Sequence, residues 1–196
     1  MPFYCGVYLA GDSYPKDIHI EAAIQSRIAR LFSHWYGQRD FIDRCAGERQ
    51  DFSLAGRMAA LHDLFPKMQT VQQTVLFGRS SGGRIATVFA ASKPVKAVIC
   101  FGYPFRYPNH PDEPQRYQHL AGIDVPILIF QGKADVYGGV SVAQEYQLSN
   151  RVIVEFLDCD HEFRVDEAIW DRVAERIFLF LAPLLWPCGP NGSASP

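Results

Sequence analysis

Strands alternating with helices along the whole chain predict an α/β fold in three layers: an open, mostly parallel sheet with helices on both faces, reduced at its N-terminal end. Three observations carry this prediction. Apolar runs and 3.6-residue patterns take turns from Phe3 to Leu185. Two of the runs, Val95 to Phe101 and Val125 to Phe130, are almost wholly apolar, as parallel strands covered on both faces must be. From Thr74 to Arg84 an apolar run stops at a small-residue turn and a helical pattern begins at once.

Taken in order, Phe3 to Leu9 reads as a first strand, closed by the turn Ala10-Gly11-Asp12-Ser13-Tyr14-Pro15. Ile20, Ile24, Ile28, Leu31, Phe32 and Trp35 recur at helical spacing and predict one helix from about Ile18 to Trp35. Residues 37 to 52 are charged and weakly patterned, with a short strand expected at Asp40 to Cys45. Leu54, Met58, Leu61 and Phe65 mark a second helix that ends at Pro66 or shortly after it. The elbow strand and its helix follow, the helix ending near Ser92-Lys93-Pro94. Between the two buried strands, residues 102 to 123 are rich in Pro, Tyr, His and Arg, and 103 to 122 are expected to form a lid or pocket loop. Val140 to Leu148 reads as a helix and Val152 to Leu157 as a last strand. Ile169, Trp170, Val173, Ile177 and Leu181 mark a long closing helix. A chain of 196 residues suits one core, so a single domain is expected over 1 to 187, with 188 to 196 a disordered tail.

The chemistry starts at Gly78-x-Ser80-x-Gly82, the spacing of a nucleophile elbow. A serine on so sharp a turn is lifted above the sheet edge, and glycines let the neighbouring chain pass close by. The N–H of Ser81 then stands at a helix N-terminus, placed to stabilise an oxyanion. A serine hydroxyl is a poor nucleophile at neutral pH and needs a histidine to take its proton and a carboxylate to support that histidine. Asp135 follows the buried run that ends in Gln131-Gly132-Lys133-Ala134, and His161 follows the next run and Asp158-Cys159-Asp160. Asp135 also suits a plain turn cap ahead of Gly138-Gly139, in which case Asp158 and Asp160 are the substitute acids. Arg79 and Arg84 suit either an acidic substrate or structural pairing. Tyr103, Phe105, Arg106, Tyr107, His110 and Tyr117 suit either a pocket wall or the packing of their loop.

Gly78-Arg79-Ser80-Ser81-Gly82-Gly83-Arg84, Gln131-Gly132-Lys133-Ala134-Asp135 and Asp160-His161-Glu162-Phe163 resemble the nucleophile, acid and histidine motifs of small α/β-hydrolases. The nearest resemblance is to the dienelactone-hydrolase-like branch that includes the testis-expressed hydrolase-like proteins, where Cys100-Phe101-Gly102-Tyr103-Pro104-Phe105 also has a counterpart. It covers roughly Val75 to Leu181. The resemblance implies an α/β-hydrolase-type fold with Ser80 as nucleophile, His161 as base and Asp135 as acid. Family members commonly carry His-Gly after the first strand, where a backbone N–H completes the oxyanion hole. Here the run is Ala10-Gly11-Asp12, so the Asp12 N–H is the expected second donor, provided its carboxylate points away.

The expected activity is that of a serine hydrolase cleaving a carboxylic ester, thioester or similar small acyl compound, with no metal or organic cofactor. Arg79, Tyr103, Phe105 and Tyr107 are the candidate substrate contacts. Two other readings compete. Gly11-Asp12-Ser13 with Asp158-x-x-His161 matches the blocks of Gly-Asp-Ser esterases and makes Ser13 the nucleophile, but their intervening Gly-x-Asn occurs only at Gly189-Pro190-Asn191. The other is a catalytically silent hydrolase-fold interaction module.

A net charge of -2 and a charged fraction of one fifth disfavour nucleic acid as a partner. No apolar run approaches the length of a membrane span, and the N-terminus lacks a signal-peptide pattern. The five scattered cysteines, Cys5, Cys45, Cys100, Cys159 and Cys188, suit free thiols in the cytoplasm. The oligomeric state is left open.

Overall fold

The computed structural model describes residues 4–40, 53–64 and 73–187 of the chain. Six strands form one sheet: β1 (Cys5–Leu9), β2 (His34–Tyr36), β3 (Thr74–Arg79), β4 (Ala97–Phe101), β5 (Ile127–Gly132) and β6 (Val152–Leu157). Their order is β2-β1-β3-β4-β5-β6, and every neighbouring pair is parallel. The helices are α1 (Ile18–Ile28), α2 (Leu54–Leu64), α3 (Ser81–Ser92), the single turn α4 (Val142–Glu145) and α5 (Glu167–Leu185). No helix among the described residues is long and apolar enough to cross a membrane.

The apolar strands follow from burial on both faces. Side chains alternate across a strand, so Val7, Leu9, Leu76, Val98, Cys100, Ile127 and Ile129 pack with Leu61 of α2 and Ile85 and Phe89 of α3. Tyr8, Val75, Phe77, Ile99, Phe101, Leu128 and Phe130 pack on the other side with Ile20, Ile24 and Ile28 of α1 and Trp170, Val173, Ile177 and Leu181 of α5. The result is the expected three layers. Each fully buried apolar side chain contributes about 1.5–3 kcal/mol, which ties both helical layers to the sheet. Helix α5 starts at Asp166, whose Oδ1 accepts the Ile169 N–H at 2.8 Å, a cap of about 1 kcal/mol.

The first expected helix is shorter than its pattern. It ends at Ile28, passes through a 3-10 turn at Ala29–Leu31, and gives way to β2, which contains Trp35. The helical spacing of Phe32 and Trp35 is overridden by the sheet edge: Ser33 N–H donates to Tyr4 O at 2.9 Å, and the Trp35 ring occupies the space over Gly6 where a Cβ would come within 2.5 Å of it. The short strand expected at Asp40 to Cys45 is not seen at Asp40, which is helical; 41 to 45 lie outside the described residues. So do Phe65, Pro66 and the tail from 188 onwards. The helix expected at Val140 to Leu148 is only the one turn of α4. Among the described residues the sheet carries only three-residue β2 beyond β1, so its N-terminal side is reduced as expected.

The segment after β4 is less polar in space than in sequence. Two 3-10 turns, Pro114–Arg116 and Gln118–Ala121, fold it down, and Tyr103, Phe105, Leu120 and Ile123 join the core beside α3. The Tyr103 hydroxyl donates to Arg116 O at 2.6 Å, which resolves the polar end of a fully buried ring.

This topology places the site. From β1 the chain moves outward to β2, whereas from β3 it moves the opposite way to β4. The strand order reverses between β1 and β3, so a crevice opens at their C-terminal ends.

Candidate active site

Ser80 stands at the tip of β3, over that crevice. Its backbone has φ 49 and ψ -121, a conformation that costs a non-glycine residue roughly 1–3 kcal/mol and that aims the side chain away from the sheet. The two motif glycines explain how the turn closes. A Cβ on Gly78 would lie 2.4 Å from the Gly83 Cα, and one on Gly82 would lie 2.1 Å from Leu9 O. Strand, elbow helix and β1 can therefore approach each other only where these side chains are missing.

His161 lies in the loop after β6, and Asp135 in the loop after β5. The structure brings both to Ser80. His161 Nε2 is 3.1 Å from Ser80 Oγ, and His161 Nδ1 is 2.8 Å from Asp135 Oδ2. Arg79 Nη1 also lies 3.1 Å from Nε2. A guanidinium only donates, so these partners assign the lone pair to Nε2 and the proton to Nδ1, which donates to Asp135. Asp135 is 2 % exposed, and two more donors satisfy it: Oδ1 accepts the Tyr137 N–H at 2.8 Å and Oδ2 accepts Gln131 Nε2 at 2.8 Å. A buried carboxylate is tolerable only with partners of this kind.

The histidine loop is held from below by Arg79. Its Nη2 donates to His161 O at 2.6 Å and its Nη1 to Phe101 O at 3.4 Å, while its guanidinium lies 5.7 Å from the Phe163 ring centroid. Arg79 is 1 % exposed and sits 3.5 Å from Asp17 Oδ2. That contact is an ion pair without hydrogen-bond geometry, since Arg79 Nε and both Asp17 oxygens lack hydrogen-bond partners.

The expected oxyanion donors come from two elements. Ser81 opens α3, and Asp12 follows β1. The Asp12 carboxylate is tethered: Oδ1 accepts Ser81 Oγ at 2.7 Å and Arg57 Nη1 at 3.1 Å. Arg57 also donates to Ala10 O and to Ser81 Oγ. A cation from α2 thus offsets the negative charge that would otherwise oppose an oxyanion. Burial pulls the Arg57 pKa down from its ordinary value, while Asp12 and Asp17 push it up.

A cleft of about 560 Å³ opens over Ser80, lined also by Asp12, Ser81, Arg84, Tyr107, Arg116, Tyr137 and His161. Its size is in the range of small-molecule sites. Of the expected substrate contacts, Tyr107 lines this cleft. Arg79, Tyr103 and Phe105 do not: Tyr103 and Phe105 are fully buried core residues, and Arg79 lies beneath the histidine loop. Their polar or aromatic character serves packing and buried pairing. Ser13 also borders the cleft, but His161 is bonded to Ser80 and Asp135, and Asp158 is exposed. Arg106 pairs with Glu145, and Tyr117 donates to Asp112.

Arg57, Gln131 and Tyr137 escape sequence reasoning. Gln131 carries a faint signal, being a polar residue directly after the apolar run Ile127 to Phe130. Arg57 sits in a helical pattern like any surface arginine. Among the described residues no group of three or more His, Cys, Asp or Glu side chains converges as a metal site would require. Cys5, Cys100 and Cys159 are free thiols.

Comparison with known proteins gives this geometry its context. No curated protein sequence matches the chain. In structure it is similar to a monoacylglycerol lipase from Paleococcus ferrophilus, at 12% identity and TM-score 0.67 over 92% of this chain and 94% of that one. It is similar to Est1E from Butyrivibrio proteoclasticus, at 14% identity and TM-score 0.65 over 92% and 89%. A hydrolase of the alpha/beta superfamily from Xanthomonas campestris matches at 19% identity and TM-score 0.64 over 91% and 99%. At these identities the likeness is one of fold. The model of the alpha/beta hydrolase domain matches residues 29–176, most of the chain, and on that match the protein belongs to the α/β-hydrolase family.

Proposed function

We propose that the protein is a serine hydrolase that cleaves a carboxylic ester, thioester or similar acyl compound through an acyl-enzyme intermediate, with Ser80, His161 and Asp135 as its triad. The observation that carries this reading is His161 bridging Ser80 Oγ and Asp135 through its two ring nitrogens. His161 Nε2 takes the Ser80 proton as Oγ attacks the carbonyl carbon, and Asp135 stabilises the imidazolium that forms. The tetrahedral oxyanion is met by the Ser81 N–H, with the dipole of α3 behind it, and by the Asp12 N–H. Collapse of the tetrahedral species expels the leaving group, which takes its proton from His161 Nε2. In the second half-reaction His161 removes a proton from water, the resulting oxygen attacks the acyl carbon, and Ser80 Oγ recovers its proton.

No metal or organic cofactor enters this sequence. The three short motifs around Ser80, Asp135 and His161 favour the dienelactone-hydrolase-like branch within the family. The direct test is hydrolysis of short-chain nitrophenyl esters and acyl thioesters by the wild type and by Ser80→Ala. Turnover by the wild type and none by a folded Ser80→Ala protein is expected; unchanged esterase activity in that variant would overturn the assignment.

A further inference from the structure

The cleft over Ser80 contains two guanidinium groups that the triad does not use. Arg84 comes from α3, and Arg116 from the 3-10 turn after β4. Arg84 lies in the first turn of α3, directly after the Ser80 elbow, and lines the same cleft as Ser80.

The two cations differ in how they are compensated. Arg116 Nε donates to Glu113, and its guanidinium lies 5.4 Å from the Tyr107 ring centroid. Arg84 makes no ion pair and no side-chain hydrogen bond among the described residues, and its Nε is sealed from solvent without an acceptor. Its pKa is lowered from the ordinary value, first by burial and then by repulsion from Arg116, yet an arginine stays charged at neutral pH. Glu113, the acid that acts on Arg84, is already bonded to Arg116. Around Arg84 itself two cations meet one acid, while the exposed Asp160 and Glu162 carry their negative charge elsewhere in the lining.

The other acids of the cleft belong to different elements and have their own surroundings. Asp12 is tied to Arg57 and Ser81, while Asp160 and Glu162 flank His161 on the loop after β6. Where Arg84 lines the cleft, an anionic ligand can supply the acceptors that the protein does not. A guanidinium fork is matched best by a carboxylate or a phosphate.

We infer that the substrate carries an anionic group, a carboxylate or a phosphate, and that Arg84, with Arg116 beside it, selects for that group. This rests on the serine-hydrolase reading for what happens at the ester. The anion site itself rests on Arg84 and the cleft.

The test compares kcat/KM for nitrophenyl esters matched in length: one with a carboxylate on the acyl chain, one with a carboxylate on the leaving alcohol, a phosphate counterpart of each, and a neutral ester. The wild type is expected to prefer at least one charged ester over the neutral one. Arg84→Gln should reduce that preference by about ten- to a hundredfold, the range of a hydrogen bond between charged groups, and Arg84→Lys should restore part of it. A wild type with no preference for charge, or a preference unchanged in Arg84→Gln, overturns the inference. Calorimetric titration of Ser80→Ala with glutarate and with inorganic phosphate provides a readout free of turnover. Saturable binding of either anion that disappears in Ser80→Ala/Arg84→Gln supports the site and tells carboxylate from phosphate. Absence of binding by both anions contradicts it. Anion binding by a wild type that hydrolyses no ester would instead sink the triad and leave the anion site standing.

Discussion

Arg79→Met tests the buried frame that holds the histidine loop. The substitution keeps an apolar stem of similar length and removes the guanidinium, so four things change together, the 3.1 Å contact of Nη1 with His161 Nε2 among them. His161 O loses its 2.6 Å donor, Phe101 O loses a weaker one, and Asp17, itself 2 % exposed, is left as a buried carboxylate without its cation. Removing one partner of a buried ion pair costs about 3–5 kcal/mol, because the remaining charge stays desolvated. In a protein of this length each kcal/mol lowers the midpoint by about 2–4 °C, so a fall of roughly 6–20 °C is expected. Urea unfolding followed by circular dichroism measures the loss, and the slope of the transition shows whether the native state itself has loosened. The double variant Arg79→Met/Asp17→Asn removes both charges and is expected to recover part of the loss. A single variant within about 1 kcal/mol of wild type, or a double variant no more stable than the single one, would refute the reasoning, since the penalty is assigned to an orphaned charge.

Three other perturbations probe the account at separate points. Asp135→Asn keeps the shape of the buried side chain but offers His161 Nδ1 the wrong partner, and is expected to lower kcat by about 10³–10⁴-fold with little change in KM; ester hydrolysis under saturation measures it, and a loss below tenfold would assign the acid elsewhere. Gly82→Ala forces a methyl group to within 2.1 Å of Leu9 O, so β1 and α3 must separate; thermal unfolding should show a loss of about 1–3 kcal/mol or more, with activity falling further as the Asp12 and Ser81 amides move apart. His119, pressed against Thr87 at 2.9 Å, has its pKa lowered to about 4 by burial and then by Arg84. The unfolded chain binds that proton near pH 6.5, so stability contributed by this site is complete above pH 6.5 and is lost as pH falls towards 4. His119→Gln should flatten the stability profile across that window, and an unchanged slope would contradict the burial.

How much was legible in the sequence depended on where a residue's environment was set. Strands β3, β4 and β5 are apolar on both faces because helices cover both faces, so their burial was written into consecutive residues. Ser80, Asp135 and His161 each follow a strand closely, and a parallel sheet carries such positions to one edge. Trp35 was read on the wrong element because a ring spaced for a helix face serves equally well over Gly6 in a strand. Tyr103 and Phe105 suit a pocket wall or the packing of their loop equally well in a sequence rich in polar neighbours, and the fold puts them in the core. Arg57 reaches the site from an element distant in sequence, and no local pattern records such a meeting. Arg79 and Arg84 belong to one motif and are identical in type; only the fold separates a buried strut from an unpartnered cation in the cleft.

The central claim is that Ser80 is an activated nucleophile, and labelling with a fluorophosphonate tests it without knowledge of the substrate. Wild type, Ser80→Ala and Ser13→Ala are treated in parallel and the adduct is located by peptide mass. The account predicts a single adduct on Ser80, retained in Ser13→Ala and lost in Ser80→Ala. An adduct on Ser13 would move the nucleophile to the loop after β1, and a folded wild type that takes no label would contradict the account and favour a hydrolase fold kept for binding.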